Sequence, residues 1–122
     1  MDRTDRDRRI DYVEFPATDL ARTRAFYGAA FGWSFTEYGP DYLAFNDGAL
    51  DGGFARADAV SPAPGGALVI LYASDLGAVR AAVVAAGGRI VAEPYDFPGG
   101  RRFHFADPDG HELAVWSEGG AA

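Results

Sequence analysis

The chain has 122 residues and a mass of 13.0 kDa, which fits one domain that buries about two-thirds of its unfolded surface. A hydrophobic fraction of 48% excludes a disordered chain, and no apolar run reaches the roughly 18 residues of a membrane span. The net charge of −7 argues against nucleic-acid binding, and the absence of cysteine excludes disulfides, thiolate metal sites and cysteine nucleophiles.

The two ends of the chain are predicted to be tails. Residues 1–9 alternate Asp with Arg and contain no apolar stretch, so they are predicted to form a disordered N-terminal tail and not a signal peptide. A cytoplasmic location is therefore expected. Residues 119–122 are predicted to form a short C-terminal tail.

Residues 10–57 are predicted to form a first module of one helix and four strands. The predicted strands are Ile10–Ala17, Trp33–Tyr38, Tyr42–Phe45 and Gly52–Arg56. After the first strand, Thr18 or Asp19 caps a helix that ends at Gly32. The inward positions of this helix are Leu20, Thr23, Tyr27 and Ala30/Phe31. Residues 58–66 contain two prolines and two glycines and are predicted to be a linker.

Residues 67–118 are predicted to repeat this order as a second module. A strand over Ala67–Ala73 leads to a cap at Ser74 or Asp75 and to a helix whose inward positions are Leu76, Val79, Val83 and Ala86. A strand at Arg89–Ala92, a loop at Glu93–Gly100 and a hairpin over residues 101–118 follow, with Asp107-Pro108-Asp109-Gly110 as the hairpin turn. The order βαβββ thus occurs twice, which predicts an α+β protein built from two similar modules.

Alternation along the strands separates two faces. The face expected against the helices is apolar and carries Val13, Phe15, Val69, Leu71, Phe103, Phe105, Leu113 and Val115. The opposite face carries Tyr12, Glu14, Leu68, Ile70, Tyr72, Arg102, His104, Glu112, Ala114 and Trp116. Such a mixture is too apolar for a solvated face and too polar for a dry core. We therefore expect the two modules to form a curved mixed sheet around a central, ligand-sized cavity.

Two segments of the sequence resemble a known family. Ile-Asp-Tyr-Val-Glu-Phe-Pro-Ala-Thr-Asp-Leu with Ala-Phe-Tyr-Gly-Ala-Ala-Phe-Gly-Trp (within residues 10–33) and Phe-Ala-Asp-Pro-Asp-Gly-His-Glu-Leu-Ala-Val-Trp (residues 105–116) are similar to the vicinal oxygen chelate superfamily. This group includes glyoxalase I, bleomycin-resistance proteins and extradiol dioxygenases. The resemblance implies the glyoxalase/bleomycin-resistance fold, with paired βαβββ modules and, in many members, a homodimer whose modules pair within one chain or between two.

The resemblance also implies metal-assisted chemistry, but the corresponding positions here carry no usual metal ligands. The family's four ligand positions fall on Tyr12, near Gly52–Phe54, on Leu68 and on Ala114. One tyrosine with alkyl and glycine neighbours does not make a divalent metal site. We therefore expect no metal and no cofactor, and neither glyoxalase I nor extradiol dioxygenase activity.

Two functions of different classes remain after the metal is removed. The first is a binding protein that sequesters a small, aromatic or planar ligand in a metal-free pocket, as bleomycin-resistance proteins of the family do. Its predicted ligand-binding residues are Tyr12, Tyr42, Leu68, Ile70, Tyr72, Arg102, Glu112, Ala114 and Trp116. The predicted partners are this ligand and a second copy of the chain, with neither nucleic acid nor membrane.

The second function is a metal-independent lyase, isomerase or epimerase that uses Glu14 and His104 as an acid/base pair. The alternative for Glu14 is a salt bridge to Arg102 across the cavity, and for His104 a structural hydrogen bond. His111 is expected to be a surface turn residue, and Arg22 a solvated helix residue.

Overall fold

The computed structural model of the chain describes residues 7–61 and 67–118. Most of the predicted N-terminal tail, residues 62–66 of the predicted linker and the predicted C-terminal tail lie outside the described residues.

The first module consists of β1 (Tyr12–Ala17), α1 (Leu20–Phe31), β2 (Ser34–Glu37), β3 (Tyr42–Asn46) and β4 (Asp51–Arg56). Its sheet has the order β1-β4-β3-β2, and β1 runs parallel to β4. Asp19 caps α1 by accepting a 3.1 Å hydrogen bond from the Arg22 backbone N–H. The helix ends at Gly32, whose φ of 72° is left-handed, a conformation that glycine adopts without the steric cost of a Cβ. Both predicted helix ends are thus confirmed.

The second module repeats this order with β5 (Val69–Tyr72), α2 (Leu76–Ala85), β6 (Arg89–Phe97), β7 (Gly100–Ala106) and β8 (Glu112–Glu118). Its sheet has the order β5-β8-β7-β6, and β5 runs parallel to β8. Asp75 caps α2 by accepting a 3.0 Å hydrogen bond from the Ala78 N–H. The predicted α+β class with two βαβββ modules is confirmed. Neither helix is long and apolar enough to span a membrane.

The loop predicted at Glu93–Gly100 is wrong, because β6 continues through Phe97. Pro94 favoured a loop, since proline cannot donate to a strand ladder. However, β6 is an edge strand, and its pairing with β7 shifts register between Ala92 and Tyr95. Edge strands and bulges are the places where a sheet tolerates proline. The strand therefore passes through Pro94 and presents Tyr95 beside β7.

Helix α1 lies between the two sheets and contacts both of them. The Tyr27 ring lies 5.1 Å from Phe54 of the first sheet, and the Phe26 ring 6.0 Å from Phe105 of the second. Phe26 is only 1% exposed and was not among the predicted inward positions of α1. Four of the predicted helix-facing residues are 0% exposed: Phe103, Phe105, Leu113 and Val115. The two sheets therefore share one core, and their other faces point away from each other.

The hairpin turn of the second module docks on the start of α1 in the first. Asp109 Oδ1 accepts hydrogen bonds from the Thr18 backbone N–H at 3.1 Å, from the Thr18 hydroxyl at 2.6 Å and from Arg22 Nη2 at 3.1 Å. The His111 ring donates from Nε2 to the Pro16 carbonyl at 2.7 Å. The Arg22 side chain is 45% exposed and His111 is half-buried beside the turn, so both lie at the surface as expected, but both also join the modules.

Candidate functional site

The face of the first sheet directed away from α1, here called the first outer face, carries a chain of three hydrogen-bonded side chains. Tyr42 donates from its hydroxyl to Glu14 Oε1 at 2.8 Å, so the 2.6 Å contact between Tyr12 and Tyr42 is a donation from Tyr12. Tyr12 and Glu14 lie on β1 and Tyr42 lies on β3, and β4 separates these two strands in the sheet. The chain therefore passes over β4.

Gly53 of β4 is the reason that the two tyrosines can meet. A Cβ placed on Gly53 would lie 2.0 Å from the Tyr42 hydroxyl and 2.6 Å from the Tyr12 hydroxyl. Burial raises the pKa of Tyr42, and the hydrogen bonds with Tyr12 and Glu14 raise it further. Tyr42 therefore stays protonated and keeps donating to Glu14. A shallow pocket of about 300 Å³ beside this chain is lined in part by Tyr12, Thr36, Tyr38 and Ala44.

The corresponding face of the second sheet, the second outer face, carries one residue from each strand in a single register. Tyr95 of β6 pairs with Arg102 of β7, Arg102 with Trp116 of β8, and Trp116 with Tyr72 of β5. We call these four residues the aromatic–arginine row. The Arg102 guanidinium lies 5.5 Å from the Tyr95 ring centroid, and the Trp116 and Tyr72 rings meet edge to face at 5.2 Å. The row thus presents one cation among aromatic rings.

A second hydrogen-bonded chain ends at the aromatic–arginine row. His104 Nδ1 lies 2.7 Å from Glu112 Oε2, and His104 Nε2 lies 2.8 Å from the Tyr95 hydroxyl. A carboxylate accepts only, so Nδ1 carries a proton, and in the neutral ring Nε2 accepts the Tyr95 proton. The Tyr95 oxygen in turn accepts from Arg102 Nε at 2.5 Å. These hydrogen bonds therefore link the Arg102 guanidinium to the Glu112 carboxylate through Tyr95 and His104.

The two outer faces keep the predicted site residues apart within one chain. Glu14 lies on β1 of the first sheet, whereas His104 and Arg102 lie on β7 of the second. The contacts of Glu14 and of His104 described above are made within their own modules. Leu68 precedes β5 and is half-buried, and Ala114 is 0% exposed beneath the larger side chains of its face. One chain therefore carries two separate groups of candidate site residues, one on each outer face.

Tyr95 and Phe97 lie beside Arg102 on the second outer face. The sequence did not predict them as candidate residues, because both fall in the stretch predicted to be a loop. The sequence signal that could have found them is the period-two spacing of Tyr95 and Phe97, two β-favouring residues that follow the predicted strand at Arg89–Ala92. Phe97 lies 5.6 Å from the Arg102 guanidinium and 6.2 Å from Trp116, so it borders the aromatic–arginine row.

Two other clefts of the described residues each include an aromatic side chain of the outer faces, Tyr42 in one and Tyr72 in the other. One of about 510 Å³, between α1 and the β2–β3 turn, is lined in part by Arg24 and Glu37, which already form a 3.2 Å ion pair. Another of about 490 Å³ lies between the modules and is lined mainly by apolar side chains of the core side, such as Phe15 and Leu71. Neither is lined by Glu14 or His104.

The residues at the family's metal positions do not fit a metal. Tyr12 uses its hydroxyl proton to bond Tyr42, and Ala114 is a buried methyl group. Within residues 7–61 and 67–118, no three His, Asp or Glu side chains converge as a metal site requires. The donor set here therefore consists of one hydrogen-bonded phenol with alkyl and glycine neighbours, which is not a ligand set for a divalent cation.

Two βαβββ modules with one polar, aromatic face each define the class of two-module glyoxalase-like proteins. The family model for the Glyoxalase/Bleomycin resistance protein/Dioxygenase superfamily matches residues 9–115, and the chain belongs to this superfamily. This member differs from the superfamily's usual pattern at the four metal-ligand positions. These positions carry no usual metal ligand here and fall on Tyr12, near Gly52–Phe54, on Leu68 and on Ala114.

Three known proteins show the range of similarity. The anthracycline biosynthesis protein DauV of Streptomyces sp. (strain C5) is 32% identical over 88% of this chain and 46% of its own length. The crystal structure of TioX from Micromonospora sp. ML1 has a TM-score of 0.70 at 25% identity, over 88% of this chain and 97% of that one. A glyoxalase-related enzyme from Fulvimarina pelagi has a TM-score of 0.77 at 23% identity, over 91% and 88%. The chain spans about half the length of the curated relative.

Proposed function

We propose that this protein binds or sequesters a small aromatic ligand on its outer faces without a metal ion. The observation that carries the proposal is the exposure of large aromatic and apolar side chains on these faces: Tyr12 is 43% exposed, Ile70 44% and Tyr72 53%. Exposed aromatics beside hydrogen-bonding groups are typical of ligand sites. A relative named for anthracycline biosynthesis is consistent with an aromatic ligand, since anthracyclines are planar polycyclic compounds.

The proposed site becomes a closed pocket when two copies of the chain associate. β1 and β5 each have one edge without a strand partner within the described residues, and such edges favour pairing with another chain. Pairing β1 of one copy with β5 of another would bring a first outer face next to a second outer face. That the chain matches only 46% of DauV, a protein with room for two such units, supports this homodimer.

Ligand binding is tested by thermal unfolding with a panel of aromatic compounds. Binding to the folded state raises the unfolding temperature, by an amount that grows with ligand concentration. Trp116→Ala and Tyr42→Ala are expected to remove the rise. Val84→Ala, an exposed position on α2 (48% exposed) away from both faces, is the matched control and should keep it. A rise that survives in both face variants, or no rise with any compound, would contradict the proposal.

The homodimer and the absence of metal have separate tests. Light scattering of the purified protein should give twice the mass of the chain, and a monomer at high protein concentration would exclude the shared pocket. Elemental analysis should find no stoichiometric zinc, nickel, manganese or iron. One metal ion per chain would overturn the metal-free proposal.

A metal-independent lyase, isomerase or epimerase remains the second candidate, because each outer face ends in a carboxylate that is hydrogen-bonded to a proton-carrying group. Glu14 accepts from Tyr42, and Glu112 accepts from His104. Since Glu14 and His104 lie on different sheets, they could act as one acid/base pair only across the homodimer. If Glu14→Ala and His104→Ala leave the protein's effect on its ligand unchanged, the acid/base hypothesis is excluded.

A further inference from the structure

The aromatic–arginine row holds a cation that no carboxylate neutralises. Arg22, Arg24, Arg56, Arg80 and Arg101 each lie within 3.2 Å of a carboxylate oxygen. Arg102, in contrast, is half-buried and makes its hydrogen bond to the Tyr95 phenol. In a chain with a net charge of −7, a guanidinium without an acidic partner in the described residues has its charge available for a ligand.

The described contacts of Arg102 engage its Nε and leave its two Nη atoms for a ligand. Nε donates to Tyr95, whose hydroxyl is held by His104, and His104 is held by Glu112. The guanidinium also lies over the Phe97 ring at 5.6 Å. With Nε engaged and the guanidinium close to the Tyr95 and Phe97 rings, the terminal Nη atoms remain to donate the parallel pair of bonds that a planar acid accepts.

The two ends of the row differ in charge. Beyond Trp116, the Tyr72 hydroxyl donates to the Glu118 carboxylate, which lies at the β5 side of the row. An anionic group would be repelled at that end and attracted at Arg102. Trp116 lies directly between Arg102 and Tyr72 in the register and offers a flat apolar surface of roughly one strand spacing on each side.

We propose that the second outer face is selective for planar acids. A ligand with an aromatic ring packs against Trp116, and its acidic oxygens receive hydrogen bonds from the Arg102 Nη atoms. Tyr95 is a positioning residue, because it holds Arg102 through Nε. This inference rests on the proposed binding function and narrows its ligand to the class of aromatic carboxylates and phenolates.

The test compares naphthalene carboxylate with naphthalene carboxamide, which has the same shape without the charge, by isothermal titration calorimetry of the full chain. We expect the acid to bind on the order of 10-fold more tightly, as a charge-assisted pair predicts. Arg102→Gln should bring the ratio of the two affinities to about one. Arg101→Gln changes the neighbouring arginine, which is paired with Asp96, and should leave the ratio unchanged.

Two further readouts separate the roles of the residues. Tyr95→Phe keeps the ring under the guanidinium and removes the acceptor of Nε, so the acid preference should fall several-fold while the amide affinity stays. In NMR spectra, the Trp116 indole N–H should shift on binding. The Trp33 indole should not, since its ring is stacked between Tyr27 and Phe45 at 4.7 and 4.4 Å.

Equal affinities for acid and amide in the unmodified protein, or an unchanged ratio in Arg102→Gln, would overturn the inference. If the amide binds and shifts Trp116 but the acid has no advantage, acid selectivity is excluded while aromatic ligand binding stands. If neither compound binds, the inference also fails, and the panel of neutral and charged aromatics described above decides the binding function separately.

Discussion

The Tyr27 hydroxyl donates a 2.9 Å hydrogen bond to Asp107 Oδ2 and joins residues 80 positions apart. Tyr27 is 0% exposed in α1 of the first module, and Asp107 is 6% exposed at the hairpin turn of the second. Asp107 Oδ1 meanwhile accepts from the backbone N–H groups of Asp109 and His111. The Asp107 carboxylate thus stabilises its own turn and also joins that turn to α1 of the first module.

Tyr27→Phe should therefore destabilise the whole chain. It removes a hydrogen bond to a buried carboxylate, for which a cost of about 1.5–3 kcal/mol in the free energy of unfolding is expected. Chemical denaturation measures it. Tyr38→Phe is the matched control, since Tyr38 is 66% exposed, and it should change stability by less than about 0.5 kcal/mol. Equal, small effects of the two substitutions would show that the Tyr27 contact contributes little.

Asp109→Ala tests the second contact between the modules, in which the hairpin turn binds the start of α1. The Asp109 side chain is 3% exposed and accepts three hydrogen bonds from Thr18 and Arg22 through one oxygen. Its removal leaves the Thr18 N–H without this acceptor, and we expect a loss of about 2–4 kcal/mol. Asp109→Asn, which keeps an acceptor oxygen, should lose less. Asp58→Ala breaks an ion pair in which Asp58 is 99% exposed and should cost about 0–1 kcal/mol.

The local features of the fold could be predicted because they depend on neighbouring residues. The cap at Asp19 and the left-handed Gly32 are set by side-chain length and backbone freedom within one turn of helix. The alternation of Phe103 and Phe105 with Arg102 and His104 separates the faces of β7 in the same way. Such features are independent of what the rest of the chain does, so the βαβββ order and the two faces follow from the residues alone.

The arrangement of the modules could not be predicted, because alternation shows which face a residue occupies but not what that face meets. Arg102 was paired with Glu14 as one alternative, yet its partner is Tyr95, seven residues away in the sequence. Asp109 and His111 are residue types that a turn favours, so the sequence explains their positions without any distant contact. Their hydrogen bonds with Thr18 and Pro16 could therefore not be predicted. Such contacts depend on how two complete modules dock.

Gly53→Ala and Gly52→Ala should have different effects, although the two residues are adjacent. At Gly53 a Cβ meets the hydroxyl end of Tyr42, which can rotate away, so the fold should remain while the bond between Tyr12 and Tyr42 is lost. At Gly52 a Cβ meets the Val13 carbonyl at 2.4 Å and the Phe45 ring at 2.2 Å. Phe45 is 5% exposed, so neither neighbour can move freely.

We therefore expect Gly52→Ala to cost about 1–3 kcal/mol in unfolding free energy, as overpacking does, and Gly53→Ala to cost less. Denaturation curves measure this difference. In Gly53→Ala, loss of the Tyr12 hydrogen bond should also bring the pKa of Tyr42 down towards its ordinary value. If Gly53→Ala proves as destabilising as Gly52→Ala, the Tyr42 hydroxyl cannot rotate away from the added methyl group.

Stability should fall on the alkaline side because of Tyr27 and Tyr42. Burial raises the pKa of Tyr27 well above its ordinary value of 10.0, and the negative charge of Asp107 raises it further. The pKa of Tyr42 is raised for the reasons given above. A group whose pKa is higher in the folded chain contributes stability that is fully present below pH 10 and is lost as the pH rises through the raised pKa.

The ultraviolet absorbance of tyrosinate measures this effect. In the folded chain, at least Tyr27 and Tyr42 should remain protonated at a pH where the tyrosines of the unfolded chain are ionised, so full ionisation of the six tyrosines should coincide with unfolding. Tyr27→Phe should make the decline of unfolding free energy above pH 10 less steep, because one group that binds its proton more tightly in the folded state is gone. An unchanged slope would mean that Tyr27 ionises without unfolding the junction between the modules.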